Sequence, residues 1–222
     1  MTNVRIKQIL DMLDSAGEQL MSIPDDMFLS INPVDNKELE KVQLIVKFND
    51  SLETFSNVAS EVKEQIKSFF LIDPENEDIE RESSNGKKGE RIIKELDKSE
   101  SHSIDEDFTF KRPYGFVFDD VACKGLKTWK SLYIQLLKEL NNKNPDLFAR
   151  LPLDENFVSE RGNKIFSANT EELRKPEELF PNIFVETNYS AKGIIENIKR
   201  ILLYFDIQVN DFKIYLREDR NA

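Results

Sequence analysis

The chain of 222 residues carries 42 acidic and 31 basic side chains, giving a formal net charge of −11 at pH 7. This acidity disfavours bulk non-specific binding to nucleic acid, because phosphates attract basic surfaces. A mean hydropathy of −0.51 with 33% charged residues argues against a membrane span, and we expect no membrane partner. The excess acid lies in residues 1–105, with 13 basic and 23 acidic residues, whereas residues 106–222 have 18 and 19.

Cysteine content and the N-terminal sequence both bear on location. Cys123 is the single cysteine, so no intrachain disulfide can form, which is typical of a reducing compartment. The N-terminal sequence MTNVRIKQILDML lacks the basic segment and continuous apolar core of a secretory signal. We therefore predict a cytoplasmic protein of bacterial composition.

Two helices are predicted in the first half of the chain. Residues 3–21 form an amphipathic pattern, which Pro24 is expected to end. Residues 39–70 then repeat apolar side chains at alternating spacings of three and four, the heptad pattern of a helix that packs along a narrow seam. The residues of this seam are Ile45, Phe48, Leu52, Phe55, Ala59, Val62, Ile66 and Phe69.

The seam needs a covering partner. Prolines and polar residues in the connection predict that the two helices fold back as an antiparallel hairpin. Because the second helix is expected to be much longer than the first, roughly half of its seam would stay uncovered. We therefore predict that residues 1–72 form a helical hairpin or coiled coil that binds a second copy or another protein. Packing of the seam within one domain is the alternative.

Residues 73–107 are predicted to be a flexible acidic linker. Acidic residues, Ser, Lys and Gly dominate this stretch, and few of its side chains can contribute to a core. A short helix around residues 91–96 would be marginal by itself. His102, the only histidine, lies here and is interpreted as inert.

Residues 108–222 are predicted to form a mixed domain, which makes the whole chain α+β. Helices are expected after Thr128, with Trp129 in the core, and over residues 191–205 after Ser190 as N-cap. Strands are expected around residues 108–110, 116–118, 164–167, 183–187 and 212–216, and Asp119 and Asp120 lie where a hairpin turn is expected. The order β-β-α-β-β-α-β predicts a mostly antiparallel sheet with both helices on one face.

The segment that precedes the last predicted helix is the strongest candidate for a ligand site. Its polar side chains lie beside the first N–H groups of that helix, which favour an anion, and basic residues upstream are further donors. The candidate ligand-binding residues are Arg161, Lys164, Asn188, Tyr189, Ser190 and Lys192. An ordinary serine cap beside a solvated lysine is the alternative interpretation.

Signatures of enzymes are mostly absent from the sequence. One His and one Cys cannot supply a His-based zinc site or a Cys-His-Asn arrangement, and neither GxxxxGK[ST] nor GxGxxG occurs. We therefore predict no catalytic residue, no metal and no cofactor. The alternative is a metal-dependent nuclease in which Asp211 and either Glu186 or Glu196 bind Mg²⁺ beside Lys213.

Three stretches resemble sequences of poorly characterised bacterial proteins associated with restriction, phage-defence and mobile-element systems. They are DDMFLSINPVDNKEL, GLKTWKSLYIQLL and FVETNYSAKGIIENIKRILLYF. The resemblance includes no catalytic motif. It implies an accessory role beside a nucleic-acid-processing machine.

One functional prediction and two alternatives follow. We predict a non-enzymatic, modular interaction protein that associates through its N-terminal helices and recognises nucleic acid or another anion through residues 108–222. A flexible tether would let the second domain search while the first stays anchored. The alternatives are the nuclease and an inhibitor whose acidic helices mimic DNA.

Overall fold

The computed structural model describes residues 2–31, 38–70, 82–84, 86–109, 111–159 and 162–217. The chain divides into two compact units, Met1–Ile79 (unit 1) and Glu80–Ala222 (unit 2). Unit 1 is helical and unit 2 combines helices with antiparallel sheets, so the predicted α+β class is confirmed. Among these residues, no helix is both long enough and apolar enough to cross a bilayer.

Unit 1 is a hairpin of two long helices, α1 (Thr2–Leu29) and α2 (Glu38–Phe70). Asp14 of α1 forms an ion pair with Lys63 of α2. Because an early residue of α1 meets a late residue of α2, the helices run in opposite directions. The side chains buried between the helices are Ile6 and Leu10 of α1 and Ile45 and Leu52 of α2.

Pro24 does not end α1, contrary to the prediction. The helix continues to Leu29, and Pro24 is buried. A proline inside a helix removes a main-chain hydrogen bond and costs about 3 kcal/mol relative to alanine. Because the helix continues past Pro24, α1 has 28 residues against 33 in α2, so the expectation that α2 is much longer was wrong.

Unit 2 contains two antiparallel sheets, with strands numbered in chain order. The larger has the order β1-β4-β3-β8-β2 and the smaller has the order β5-β7-β6. The strands of the larger sheet are β1 (Glu82–Ser84), β2 (Ser101–Ser103), β3 (Pro113–Phe118), β4 (Val121–Lys124) and β8 (Lys213–Leu216). Those of the smaller sheet are β5 (Phe166–Ser167), β6 (Pro176–Phe180) and β7 (Ile183–Glu186).

The β3–β4 hairpin turns at Asp119 and Asp120, as predicted. Asp119 adopts a φ of 50°, a conformation that aspartate tolerates better than most residues. At Gly115, an added Cβ would overlap the Cys123 carbonyl oxygen on the neighbouring strand. A glycine is therefore required where these two strands approach most closely.

Helices α4 (Trp129–Lys143), α5 (Pro145–Phe148) and α6 (Ala191–Tyr204) contribute to the main core of unit 2. Thr128 begins α4 with a capping box, in which its Oγ1 accepts from the Ser131 N–H at 3.0 Å. Trp129 is buried, and its Nε1 donates to the Lys111 carbonyl at 2.9 Å. The predicted cap and the predicted core position of the tryptophan are confirmed.

The opposite face of the larger sheet is covered by α3 (Gly86–Leu96). Ile92 and Leu96 are buried against Val117, Ala122 and Tyr215. Neighbouring strand residues such as Phe116 and Ile214 point instead into the main core, because successive strand side chains alternate between faces. The two predicted helices, α4 and α6, both contribute to the main core on one side of the sheet, whereas the helix on the opposite face, α3, was not part of the prediction.

The predicted linker is wrong for the described residues between 82 and 107. A charge-rich helix such as α3 is marginal alone, and docking of two apolar side chains onto the sheet stabilises it. His102 lies on β2, which pairs with β8, and its Nδ1 is 2.9 Å from Glu106 Oε2. The histidine is thus part of a sheet edge and not of a solvated tether. Residues 73–81 lie outside the described ranges.

Two further strand predictions need correction. Phe108 is buried in an irregular segment and not in a strand, and residue 110 lies outside the described ranges. β6 was missed because its exposed side chains alternate weakly, with only Leu179 buried. The expected order β-β-α-β-β-α-β therefore lacks the strands β1, β2, β4 and β6 and the helix α3.

Candidate functional site

The candidate ligand loop, residues 187–192, connects β7 to the first turn of α6. Ser190 is the N-cap of α6, since its Oγ accepts from the Gly193 N–H at 3.2 Å, as predicted. Thr187 fixes the other end of the loop, because its hydroxyl donates to the Lys175 carbonyl at 2.9 Å. Both side chains therefore help to join the strand to the helix.

Glu186 immediately precedes this loop and is buried, with 2% of its surface exposed. Its carboxylate accepts hydrogen bonds from three main-chain N–H groups, those of Arg174 at 2.5 Å, Lys175 at 3.2 Å and Asn188 at 2.7 Å. Convergent main-chain donors favour an anion. The anion here is the protein's own side chain, so these donors are already occupied.

Two tyrosines lie near Glu186. Burial raises the pKa of Tyr189 to about 12, the charge of Glu186 adds to this effect, and the Asn197 side chain opposes it. Burial also raises the pKa of Tyr133 well above its ordinary value, with smaller contributions from Tyr189 and Glu186. Both phenols are therefore neutral at physiological pH and can donate hydrogen bonds without carrying charge.

Two buried polar atoms in this region have no hydrogen-bond partner among the residues that the structure describes. They are the Tyr133 hydroxyl and Asn197 Nδ2. A buried polar atom without a partner costs about 1–3 kcal/mol. The region around Glu186 is therefore a buried polar cluster within the core of unit 2. The sequence did not predict this cluster, because Tyr133 and Asn197 lie on otherwise apolar helix faces.

Lys192 is exposed on the first turn of α6. The pKa of Asp107 is lowered by hydrogen bonds from Thr109 and, to a smaller extent, by the charges of Lys111 and Lys192. Lys192 is thus close enough to Asp107 for their charges to interact. This neighbour reduces the positive potential that the sequence predicted for the loop.

The other predicted donors are placed differently. Lys164 Nζ is 2.7 Å from Glu172 Oε2, so its charge is paired with an acidic residue of its own segment. Arg161 lies outside the described ranges. Asn188, Tyr189, Ser190 and Lys192 lie together in the β7–α6 connection because they are neighbours in sequence. Lys164 does not join them, since it forms an ion pair with Glu172.

The residues of the nuclease alternative are not arranged as a metal site. Asp211 ends a short 3-10 turn before β8 and is not part of the strand that carries Lys213. The Glu186 carboxylate is bound to main-chain donors, and Glu196 is exposed on α6. Within the described ranges, no group of three His, Cys, Asp or Glu side chains can hold a metal ion.

The predicted seam of α2 separates into two edges. Ile45 and Leu52 are buried, and Ala59 and Ile66 are half-buried on the same edge. The remaining seam residues are more exposed towards the C-terminal end of the helix. Phe48 is half-buried, whereas the exposed fractions are 37% for Phe55, 39% for Val62 and 81% for Phe69.

Further apolar residues extend the exposed edge. Leu44 is 58% exposed and Val58 is 54% exposed, and both were missed by the sequence analysis, which followed a single seam. Their spacing from the seam residues of this edge is again three and four, so they lie on one face of the helix. We define the outer stripe of α2 as Leu44, Phe48, Phe55, Val58, Val62 and Phe69.

Comparison with known proteins adds no relative. No protein-family model, curated protein sequence or solved structure matches the chain. The function is therefore inferred from the geometry of two surfaces, the outer stripe and the β7–α6 loop.

Proposed function

We propose that this chain is a non-enzymatic interaction protein that self-associates through the outer stripe of α2 and presents unit 2 as its recognition domain. The supporting observation is the exposure of Leu44, Phe55, Val58, Val62 and Phe69 on one helix face. Burial of apolar surface contributes about 25 cal/mol per Å², so a continuous row of such residues favours association.

The composition of the hairpin core supports this proposal. Among the described aliphatic and aromatic side chains of unit 1, the buried ones are Ile6, Leu10, Ile45 and Leu52. Two helices with so few buried side chains have little to offset the entropy of ordering. Pairing of two hairpins as a four-helix bundle would place the outer stripe in a shared core.

Sedimentation equilibrium over a dilution series tests self-association. The intact chain should have the mass of a dimer at micromolar concentration and dissociate on dilution. A double substitution, Val58→Glu with Val62→Glu, should yield a monomer, since two charges would be buried in the interface. Asn57→Glu is the matched control, because Asn57 is exposed on another face of α2. A chain that is monomeric at every concentration would refute the proposal.

Salt dependence separates this proposal from DNA mimicry. Apolar association persists in 1 M salt, where the Debye length falls to about 3 Å. An acidic mimic would instead bind a basic partner and lose that partner as salt is added. A dimer that survives 1 M salt therefore favours the apolar interface.

We further propose that unit 2 recognises an anionic ligand beside Lys192, in an accessory role next to a nucleic-acid-processing system. The exposure of Lys192 at the start of α6 and the sequence resemblance support this role. Titration with a short DNA duplex and with inorganic phosphate provides the test, using Lys192→Glu and, as control, Lys138→Glu on the exposed side of α4. Equal binding by both variants and the unchanged chain would remove the site.

A further inference from the structure

The outer stripe of α2 has the register of a coiled-coil core. Phe48, Phe55, Val62 and Phe69 recur every seven residues, and Leu44 and Val58 occupy the second core position of the same heptad. One flank of this stripe, the edge of Ile45 and Leu52, already packs against α1. The other flank is open to solvent. A partner helix that lies on the stripe would therefore contact this open flank.

Charges on the open flank have a defined order along the helix. The flank carries Glu40, Lys47, Thr54, Glu61 and Ser68, all exposed and spaced by seven residues. Lys47 and Glu61 lie at nearly equal distances on either side of Thr54. They are about 21 Å apart along their own helix, too far to pair with each other.

We propose that the partner on this stripe is a second copy of α2, antiparallel to the first and related by a twofold axis near Thr54. This inference rests on the proposed self-association and specifies its geometry. In this arrangement Lys47 of each copy faces Glu61 of the other, which gives two ion pairs across the interface. Leu44 lies opposite Val62, and Phe48 lies opposite Val58, so the twofold axis produces four apolar layers, while Phe55 lies opposite Ser51 near the axis.

A parallel arrangement lacks this complementarity. Equivalent residues of the two helices would lie at the same height, so that Lys47 is level with Lys47 of the other copy and Glu61 is level with Glu61. The open flank of one helix would then approach the edge of the other that α1 covers. The antiparallel arrangement places the two covered edges together on the other side of the α2 pair, where both α1 helices complete a four-helix bundle.

Charge reversal tests the register in the full chain. Lys47→Glu alone and Glu61→Lys alone should each raise the dimer dissociation constant about threefold to tenfold at low salt, because attraction becomes repulsion. The double variant should return to the affinity of the unchanged chain. Glu53→Lys, on an exposed position away from the stripe, is the control and should have little effect. The differences should disappear in 1 M salt.

Crosslinking tests the direction of the helices. A chain with Lys47→Cys is mixed with a tagged chain with Glu61→Cys and treated with a short bismaleimide. The product should contain one chain of each kind and should form only in the mixture. The native Cys123 is buried, and the unsubstituted chain serves as the background control.

The outcomes separate the two proposals. A dimer that gives no mixed crosslink, and whose affinity is unchanged by charge reversal, refutes the antiparallel pairing and leaves self-association standing. A monomer at every concentration refutes both. Mixed crosslinking together with rescue by the double variant supports both.

Discussion

Unit 1 and unit 2 differ in how many of their large apolar side chains are exposed to solvent. Among the described residues, the large apolar side chains that remain exposed number eleven in unit 1, whereas in unit 2 they are Tyr114, Leu153 and Leu203. The larger sheet of unit 2 is covered on both faces, by α3 and by the helices of the main core. Unit 2 therefore completes its own core, and unit 1 does not. The comparison therefore supports unit 1 as the location of the proposed interface.

The same substitution in the two units should give the largest contrast. Phe116 is fully buried between Phe118 and Phe212, with ring centroids 6.0 and 5.5 Å away. Phe116→Ala should lower the free energy of unfolding of unit 2 by about 3–5 kcal/mol, because it leaves a cavity. Phe55→Ala, at a residue that is 37% exposed, should cost less than about 1 kcal/mol in the monomer and instead weaken the dimer.

Denaturant unfolding and sedimentation measure the two effects. Trp129 is the only tryptophan, so its fluorescence reports on unit 2. Equal losses of stability for the two substitutions would contradict the comparison.

The buried carboxylate of unit 2 should give the next largest effect. Glu186→Ala leaves the N–H groups of Arg174, Lys175 and Asn188 without their acceptor, and we expect a loss of about 3 kcal/mol in unfolding free energy. Glu186→Gln keeps part of the acceptor and should cost less. Glu196→Ala, at an exposed position of α6, is the control and should be nearly neutral. A neutral Glu186→Ala would mean that this carboxylate does not hold the loop.

Removal of an unsatisfied hydroxyl should have a smaller effect of opposite sign. Tyr133→Phe deletes a buried oxygen that has no hydrogen-bond partner within the described part of the chain. We expect unit 2 to keep its stability or gain up to about 1 kcal/mol. Tyr215→Phe is the matched comparison, since the Tyr215 hydroxyl donates to Asp97 at 3.3 Å and its loss should cost stability. A destabilising Tyr133→Phe would imply that the hydroxyl has a bound partner in solution.

Acidification should have the smallest effect, because the groups involved are exposed. A hydrogen bond with His102 and another from the Ser103 N–H lower the pKa of Glu106, and Lys164 and Ser167 lower the pKa of Glu172. Between the lowered and the ordinary value of 4.5, the unfolded chain binds more protons than the folded chain. The stabilisation is therefore present above this value and is lost as the pH falls below it.

Thermal melts of unit 2 between pH 6 and pH 3 measure this loss through Trp129 fluorescence. Glu106→Gln combined with Glu172→Gln should flatten the dependence. A stability that rises on acidification would contradict the assignment.

Local patterns in the sequence predicted much of the fold. The turn at Asp119, the caps Thr128 and Ser190 and the helices that follow them depend on a few neighbouring residues, and all were predicted correctly. The errors concern elements whose stability comes from distant contacts. Pro24 lies within α1 although prolines usually end helices, and α3 packs through Ile92 and Leu96 on the strands β3, β4 and β8, which lie later in the chain.

The candidate surfaces show the same contrast between features that neighbouring residues determine and features that distant contacts determine. The heptad spacing predicted a helix that packs along a seam, but α1 determines which edge of the seam is covered, and the repeat itself does not contain this information. The anionic character of the loop was missed because two main-chain donors of Glu186, Arg174 and Lys175, immediately precede β6, a strand that the sequence pattern did not indicate.

The two-sided coverage of the larger sheet decides where the chain can be cut. A fragment that starts at residue 108 would lose α3 and β2, leaving Val117, Ala122 and Tyr215 open to water and β8 with an unpaired edge. Such an edge invites pairing with other chains, so this fragment should aggregate during expression. A fragment that starts at residue 80 retains both elements and is the piece to produce when the recognition domain is screened for ligands.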